Sequence, residues 1–145
     1  AEQYAITGMV FGIAGLITGM IWARFTWGAF WVNDTKLNGA AAAMLMYAAY
    51  FILRQSTEDE TKRAKLSAVY LVFAFPLMMA FIYILPRMTD SLHPGNGGNP
   101  AFGQYDLDNQ MRLVFYPAIM GWTLLGVWIT SIRIRIKKLW NSHEN

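Results

Sequence analysis

The stretch QYAITGMVFGIAGLITGMIWA, residues 3–23, contains no Asp, Glu, Lys or Arg. A helix that crosses the hydrocarbon core of a bilayer, about 30 Å thick, needs about 20 predominantly apolar residues, and this stretch is long enough. Three later stretches also lack these charged residues, and the four are 17 to 21 residues long. We therefore predict four transmembrane helices, at about residues 4–23, 37–53, 66–86 and 113–132.

The composition of the 145 residues favours the same fold. Hydrophobic residues make up 55% of the chain and charged residues 14%, whereas about 25% charged residues is typical of soluble domains. A soluble alternative would bury four apolar helices completely, and a chain of this length has too little polar surface to cover them. The sequence therefore predicts an all-α fold, a polytopic membrane helical bundle that forms a single membrane domain over residues 1–145. The absence of cysteine excludes disulfides and zinc–thiolate sites built from this chain.

The positive charges indicate how the helices are oriented. Eight of the twelve Lys and Arg residues lie in the connector 54–65 and the tail 133–145. The other four lie in the connectors 24–36 and 87–112. Because cytoplasmic loops carry the excess of Lys and Arg, we predict that the first pair of segments is cytoplasmic and that the second pair forms outer loops. Both ends of this chain are then cytoplasmic, and the net charge of +3 needs no nucleic-acid partner, since lipid headgroups suffice.

The first predicted helix carries two pairs of glycines at G-x-x-x-G spacing, Gly8 with Gly12 and Gly15 with Gly19. Small residues at this spacing let helix backbones approach closely in lipid, so we expect this face to pack against another helix. Pro76 lies within the third predicted helix and frees a backbone carbonyl, which is tolerated where the helix packs against protein.

Five aromatic residues fall within ten positions around the start of the first outer loop. They are Trp22, Phe25, Trp27, Phe30 and Trp31. An interfacial aromatic belt explains one or two tryptophans near a helix end, and explains less well five aromatics on one side of the membrane. The composition leaves a belt and a flat binding surface as alternatives.

The second outer loop has no regular pattern over 26 residues, which indicates a functional loop or disorder. It contains His93, and the other histidine of the chain, His143, lies in the tail. A solvated or hydrogen-bonded side chain is one interpretation of His93. The other is an iron ligand, because a neutral imidazole beside the bilayer can bind that metal. Pro94 favours an extended backbone at His93.

Haem is a ligand that the two outer loops can bind together. Its ring is a large apolar plane that stacks on Trp and Phe, and its iron takes an axial histidine. Its propionates need cations, for which the candidates are Arg24, Lys36, Arg87 and Arg112. A quinone or a lipid headgroup would also suit aromatics and a histidine, which leaves the ligand open.

Asp34 cannot serve the propionates, because both groups are anionic. We expect it to accept hydrogen bonds from the loop backbone or to pair with Lys36, and so to hold the loop in shape. The candidate site residues are His93, as the axial ligand of the haem iron, with Trp22, Trp27, Phe30, Trp31, Asp34, Arg24, Lys36 and Arg87.

The run WGAFWVNDTKL, residues 27–37, resembles the tryptophan-rich motif of haem-handling cytochrome c assembly proteins. In the haem exporter protein C branch that motif is approximately W-G-x-W-W-V-W-D-x-R-L. Phe30 and Lys36 are conservative replacements, whereas Asn33 replaces a tryptophan. The preceding TGMIWARFTWG, residues 18–28, is similar to the segment that leads into the motif in that branch. The matching positions are Trp27, Gly28, Trp31, Val32, Asp34 and Leu37.

The segment SLHPG, residues 91–95, resembles the family's T-L-H-Q-G, in which the histidine is an axial haem ligand. The resemblance therefore implies that role for His93, although MTD at 88–90 stands where the family has W-W-N. It also implies non-covalent haem b and a bacterial inner membrane. Members of this branch have about six spans and two axial histidines, so the resemblance implies that two spans and the first ligand lie before residue 1.

Three functions are compatible with these observations. The resemblance favours a haem-handling protein of cytochrome c biogenesis, which passes haem to a periplasmic haem chaperone with the help of ABC-transporter subunits. The second is a subunit of a cytochrome c haem lyase, and the third is a structural or quinone-binding subunit of a respiratory membrane complex. No constellation of nucleophile and general base is visible, which favours haem binding and transfer over catalysis.

Overall fold

The computed structural model describes residues 1–89, 91–93 and 107–143. Its helices are α1 (Glu2–Trp27), α2 (Thr35–Gln55), α3 (Glu60–Met79), a π-helical segment (Ala80–Ile84), α4 (Leu85–Met88) and α5 (Asn109–His143). The third long helix runs without a break from α3 through the π-helical segment to α4. Among the described residues, four helical stretches are long and apolar enough to cross a membrane, which confirms the predicted all-α membrane fold with four transmembrane helices.

The helix ends follow from local hydrogen bonding. Asp34 precedes α2 in an extended conformation, with φ −121° and ψ 137°, and its carboxylate accepts the backbone N–H groups of Lys36 and Leu37. An aspartate at this position satisfies N–H groups that have no partner within the helix. Asp59 does the same for α3, where it accepts the backbone N–H of Lys62 at 2.7 Å. Because α2 ends at Gln55 and α3 begins at Glu60, the connector between them is only a few residues long.

The chain divides into two compact units. The larger unit, Ile13–Gly103, contains the remainder of α1 and all of α2 to α4, and in it α2 packs against α3, the π-helical segment and α4. The smaller unit contains Ala1–Gly12 and Gln104–Asn145. The prediction of a single membrane domain over residues 1–145 stays a prediction.

The π-helical segment begins four residues after Pro76. Proline has no N–H to donate and its ring collides with the carbonyl one turn back, so α3 loses one regular hydrogen bond before the π-helical segment begins. Gly39 of α2 is buried against this segment, and a Cβ atom at Gly39 would overlap the carbonyl oxygen of Phe81. The two backbones therefore approach each other as closely as only glycine permits.

In the smaller unit, polar contacts join the first residues of the chain to α5. Thr130 is fully buried, and its hydroxyl lies 2.9 Å from the hydroxyl of Thr7. Nearer the chain ends, Arg133 donates to Gln3 at 3.0 Å and Lys137 pairs with Glu2 at 2.7 Å. Helix α5 continues through the basic tail as far as His143, its last residue.

The glycines of α1 do not pack as expected within the described chain. No described atom outside the helix's own backbone and neighbouring residues lies within 4 Å of a Cβ built at Gly8, Gly15 or Gly19. Many large apolar side chains of the four long helices are also exposed, as suits helices whose sides face lipid. Close packing of this face against another helix stays a prediction.

Candidate functional site

The carboxylate of Asp34 joins the two outer-loop segments. Its Oδ1 atom accepts the backbone N–H groups of Lys36 and Leu37 at 2.9 and 3.2 Å. Its Oδ2 atom accepts the hydroxyl of Ser91 and the backbone N–H of Leu92, both at 2.7 Å. Asp34 is only 4% exposed. One buried side chain thus holds the segment that follows α4 against the start of α2.

His93 is held by the same carboxylate. Its Nδ1 atom lies 3.0 Å from Oδ1 of Asp34, and its backbone N–H donates to the hydroxyl of Ser91 at 3.1 Å. The side chain remains 23% exposed. In the part of the chain that the structure describes, Nε2 makes no hydrogen bond. The imidazole is therefore fixed through Nδ1, and no described residue forms a hydrogen bond with its Nε2 atom.

Two tryptophans surround the imidazole. The ring of Trp27 meets that of His93 edge to face, with centroids 4.8 Å apart and planes at 78°. Trp22 lies 5.0 Å from Trp27 and 6.5 Å from His93. Gly28 follows Trp27 with φ +81°, a left-handed conformation that ends α1 and turns the chain away. The last two turns of α1 therefore place both indoles beside the histidine.

Phe30 and Trp31 make other contacts. The indole N–H of Trp31 donates to the Asn38 side chain at 3.2 Å, and Asn38 in turn donates to Asn33 at 2.8 Å. The Phe30 ring lies 5.9 Å from the Arg24 guanidinium. Neither ring contacts His93 among the described residues. The structure thus brings His93, Asp34, Trp22 and Trp27 into one cluster and leaves Phe30 and Trp31 on exposed positions outside it.

The candidate cations lie in different settings. Arg24 donates to the carbonyl of Gly28, which stabilises the turn after α1. Arg87 stacks on the ring of Tyr83 at 3.5 Å from the ring centroid. Lys36 lies in the first turn of α2, two residues after Asp34. Arg112 belongs to the smaller unit, where its guanidinium donates to the carbonyl of Leu107 at 3.1 Å.

The sequence missed part of this cluster. The motif at residues 91–95 does not indicate a role for Ser91, whereas the structure shows its hydroxyl in two hydrogen bonds of the cluster. The expected backbone contacts of Asp34 are present, whereas its contact with His93 was not foreseen. The Thr35 and Thr89 hydroxyls are a further link between the segments, at 3.0 Å. Pro94 and the rest of the loop at 94–106 lie outside the described residues, as do Asp90 and residues 144–145.

Asp34 should make the stability of the fold sensitive to acid. Burial raises the pKa of its carboxyl group, but hydrogen bonds from Ser91, Leu92 and Leu37 and the charge of His93 outweigh burial, so the pKa lies below its ordinary 3.8. A lowered pKa means that the stabilising contribution is fully present above pH 3.8 and is lost as the pH falls through the lower folded-state value. In detergent, Asp34→Asn should therefore flatten the acid limb of a melting-temperature profile. Asp59→Asn is the matched control, and an equal flattening in both variants would contradict the prediction.

Comparison with known proteins gives one consistent result. The family model described as "Heme exporter protein C" matches residues 1–144. Among curated relatives, "Heme exporter protein C" of Escherichia coli (strain K12) is 26% identical over 128 residues, which cover 88% of this chain and 50% of that protein. The Paracoccus denitrificans protein of the same name is 27% identical over 135 residues, covering 93% and 56%. "Cytochrome c biogenesis protein CcsA" of Prochlorococcus marinus is 41% identical over 63 residues, covering 43% and 20%. The chain spans about half the length of the relatives that bear the first name.

Proposed function

Since the chain belongs to the Heme exporter protein C family, we propose that it holds haem b, non-covalently, at the outer face of the membrane during cytochrome c biogenesis. The observation that carries the proposal is the imidazole of His93, which is fixed at Nδ1, lies beside Trp27 and has no hydrogen bond at Nε2 among the described residues. Iron-binding histidines are commonly held in this way, through the ring nitrogen that does not bind the metal. The cluster therefore fits an axial ligand of haem.

The neighbouring side chains also suit a porphyrin. Haem, when bound, supplies an iron that accepts an imidazole nitrogen and a flat apolar ring with two propionates. The plane of Trp27 is nearly perpendicular to the imidazole, an orientation that suits stacking on a macrocycle liganded by His93. Trp22 packs edge to face on Trp27, with the ring centroids 5.0 Å apart. Phe30 and Trp31 extend the exposed aromatic surface, and Arg24, Lys36 and Arg87 supply positive charge for the propionates.

The openness of the cluster supports transfer as well as binding. Trp22 is 52% exposed, and the imidazole is only partly covered. A ligand held by stacking and by coordinate bonds at such a surface can leave without the opening of a buried cage. We place the loops 24–36 and 87–112 on the periplasmic side of the bacterial inner membrane, with both ends of this chain in the cytoplasm. The partners are then a periplasmic haem chaperone and the ABC-transporter subunits of the maturation system.

Absorption spectroscopy of the purified full-length protein tests the proposal. We expect a Soret band, either as isolated or after titration with haemin. A protein that stays colourless throughout the titration would exclude haem and favour the structural or quinone-binding alternative. A protein that binds haem and also binds apocytochrome peptides directly would favour the haem lyase alternative, whereas copurification of a soluble chaperone would favour transfer.

The tryptophans should contribute unequally to haem retention. We expect Trp27→Ala and Trp31→Ala to weaken haem binding by about three- to tenfold, the value of an aromatic contact, with the larger loss at Trp27 because it touches His93. Trp128→Ala, on the exposed surface of α5, is the control and should leave the affinity unchanged. The affinity is measured by haemin titration in detergent. Equal losses in all three variants would mean general destabilisation and would contradict the prediction.

A further inference from the structure

We propose that Asp34 is a positioning residue for His93, which it holds in the tautomer with the proton on Nδ1, so that the Nε2 lone pair faces the ligand site. The consequence for haem rests on the proposed function. The tautomer itself is a property of the ligand-free chain and can be measured without haem.

The hydrogen-bond donors around Asp34 determine where the imidazole proton lies. Both of its oxygens already accept N–H or O–H groups, two on each atom. A carboxylate in this position acts as an acceptor only. The 3.0 Å contact between Oδ1 and Nδ1 of His93 therefore requires the hydrogen to be on Nδ1. A neutral imidazole carries one N–H, so its Nε2 atom is left with a free lone pair.

The surrounding structure prevents the carboxylate from turning away. The Ser91 hydroxyl and the Leu92 N–H fix Oδ2, and the start of α2 fixes Oδ1. Ser91 also accepts the backbone N–H of His93, so the histidine and its carboxylate partner share a support. The bond from the imidazole to Asp34 is charge-assisted, because the acceptor is a carboxylate. Water screens it little, because Asp34 is almost completely buried.

This arrangement has a chemical consequence for a bound iron. A carboxylate on Nδ1 makes the imidazole a stronger electron donor through Nε2. Stronger donation favours the more oxidised state of the metal, which lowers its midpoint potential. A residue that only caps α2 would have no such effect. Asp59 provides the comparison, because it caps α3 through its carboxylate in the same manner.

The first experiment uses the haem-free full-length protein with ¹⁵N-labelled histidine, at a pH at which the imidazole is neutral. The signals of His93 are assigned by comparison with the His93→Ala protein. We expect the Nδ1–H tautomer at His93 in the unmodified protein. Asp34→Ser keeps a side chain that can cap α2 but cannot reach the imidazole, and should shift His93 towards the Nε2–H form. Asp59→Ser should leave the spectrum of His93 unchanged. An Nε2–H tautomer in the unmodified protein, or an unaltered tautomer in Asp34→Ser, would overturn the inference.

The second experiment measures the haem affinity and midpoint potential of the loaded protein. We expect Asp34→Ser to weaken binding by about 10- to 100-fold, as is usual when the partner of a metal ligand is removed, and to raise the midpoint potential. Asp59→Ser should change neither quantity. Weaker binding with an unaltered potential would show a structural role only and overturn the inference. Failure of the unmodified protein to bind haem would instead overturn the proposed function and leave the tautomer result standing.

Discussion

Replacing His93 by alanine is expected to abolish the Soret band of the haem-loaded protein. The change removes the one histidine in the described part of the larger unit. The proposed coordinate bond from this side chain to the iron is lost with it. The loss of haem affinity should exceed the about 100-fold that changes around a metal ligand cost, because here the proposed ligand itself is removed. Haemin titration followed by absorption measures the effect.

The other histidine of the chain is the matched control. His143 is exposed at the end of α5, so His143→Ala should retain both the Soret band and the affinity. Adding free imidazole to His93→Ala should restore part of the band, since a small ligand can occupy the space of the missing side chain. A band of unchanged position and strength in His93→Ala would show that this residue does not bind the iron.

Replacing Gly39 by alanine is expected to destabilise the larger unit by about 1–3 kcal/mol, the usual cost of overpacking. The added Cβ would overlap the carbonyl oxygen of Phe81 and lie 3.0 Å from its carbonyl carbon. Backbone atoms cannot rotate away as a side chain does, so α2 must move from the π-helical segment. Asp34 caps the start of α2 and contacts the segment after α4, so a displacement of α2 should disturb these contacts and lower the haem affinity as well.

Thermal unfolding in detergent measures the destabilisation. Gly121→Ala is the control, because a Cβ at Gly121 has no atom within 4 Å in the described chain beyond its own helix backbone and neighbours. Alanine is favoured over glycine within a helix by about 0.5–1 kcal/mol, so this variant should melt at the same temperature or slightly higher. If Gly39→Ala melted at the same temperature as Gly121→Ala, the close approach of α2 to Phe81 would be refuted.

The four long helices could be predicted because their signal is local. A long stretch of sequence without charged residues is sufficient to indicate a transmembrane helix, and the predicted all-α membrane fold is confirmed. The predicted family resemblance is confirmed by a match over residues 1–144. Pro76 indicated a disturbed helix but not its form, since the π-helical segment and its contact with Gly39 depend on a neighbouring helix that local pattern does not describe.

The candidate site was predictable in its residue types and less so in its contacts. The aromatics and His93 were identified from their positions beside predicted spans. The bond between Asp34 and His93 joins residues 59 positions apart, and no periodicity in the sequence relates them. The indole N–H of Trp31 donates to Asn38, a contact that the sequence does not indicate, and the place of Trp31 on the same surface as Trp27 stays a prediction. Such choices among hydrogen-bond partners depend on tertiary geometry.

The length of α5 has a consequence for what lies beyond the bilayer. A helix of 35 residues is about 50 Å long, well above the about 30 Å of hydrocarbon that it has to cross. The helix therefore has more length than a crossing requires, and the pairing of Lys137 with Glu2 holds its C-terminal part against the first turn of α1. Because α5 is continuous from Thr130 to His143, a displacement of its C-terminal end would be transmitted along the helix to the buried Thr130–Thr7 contact.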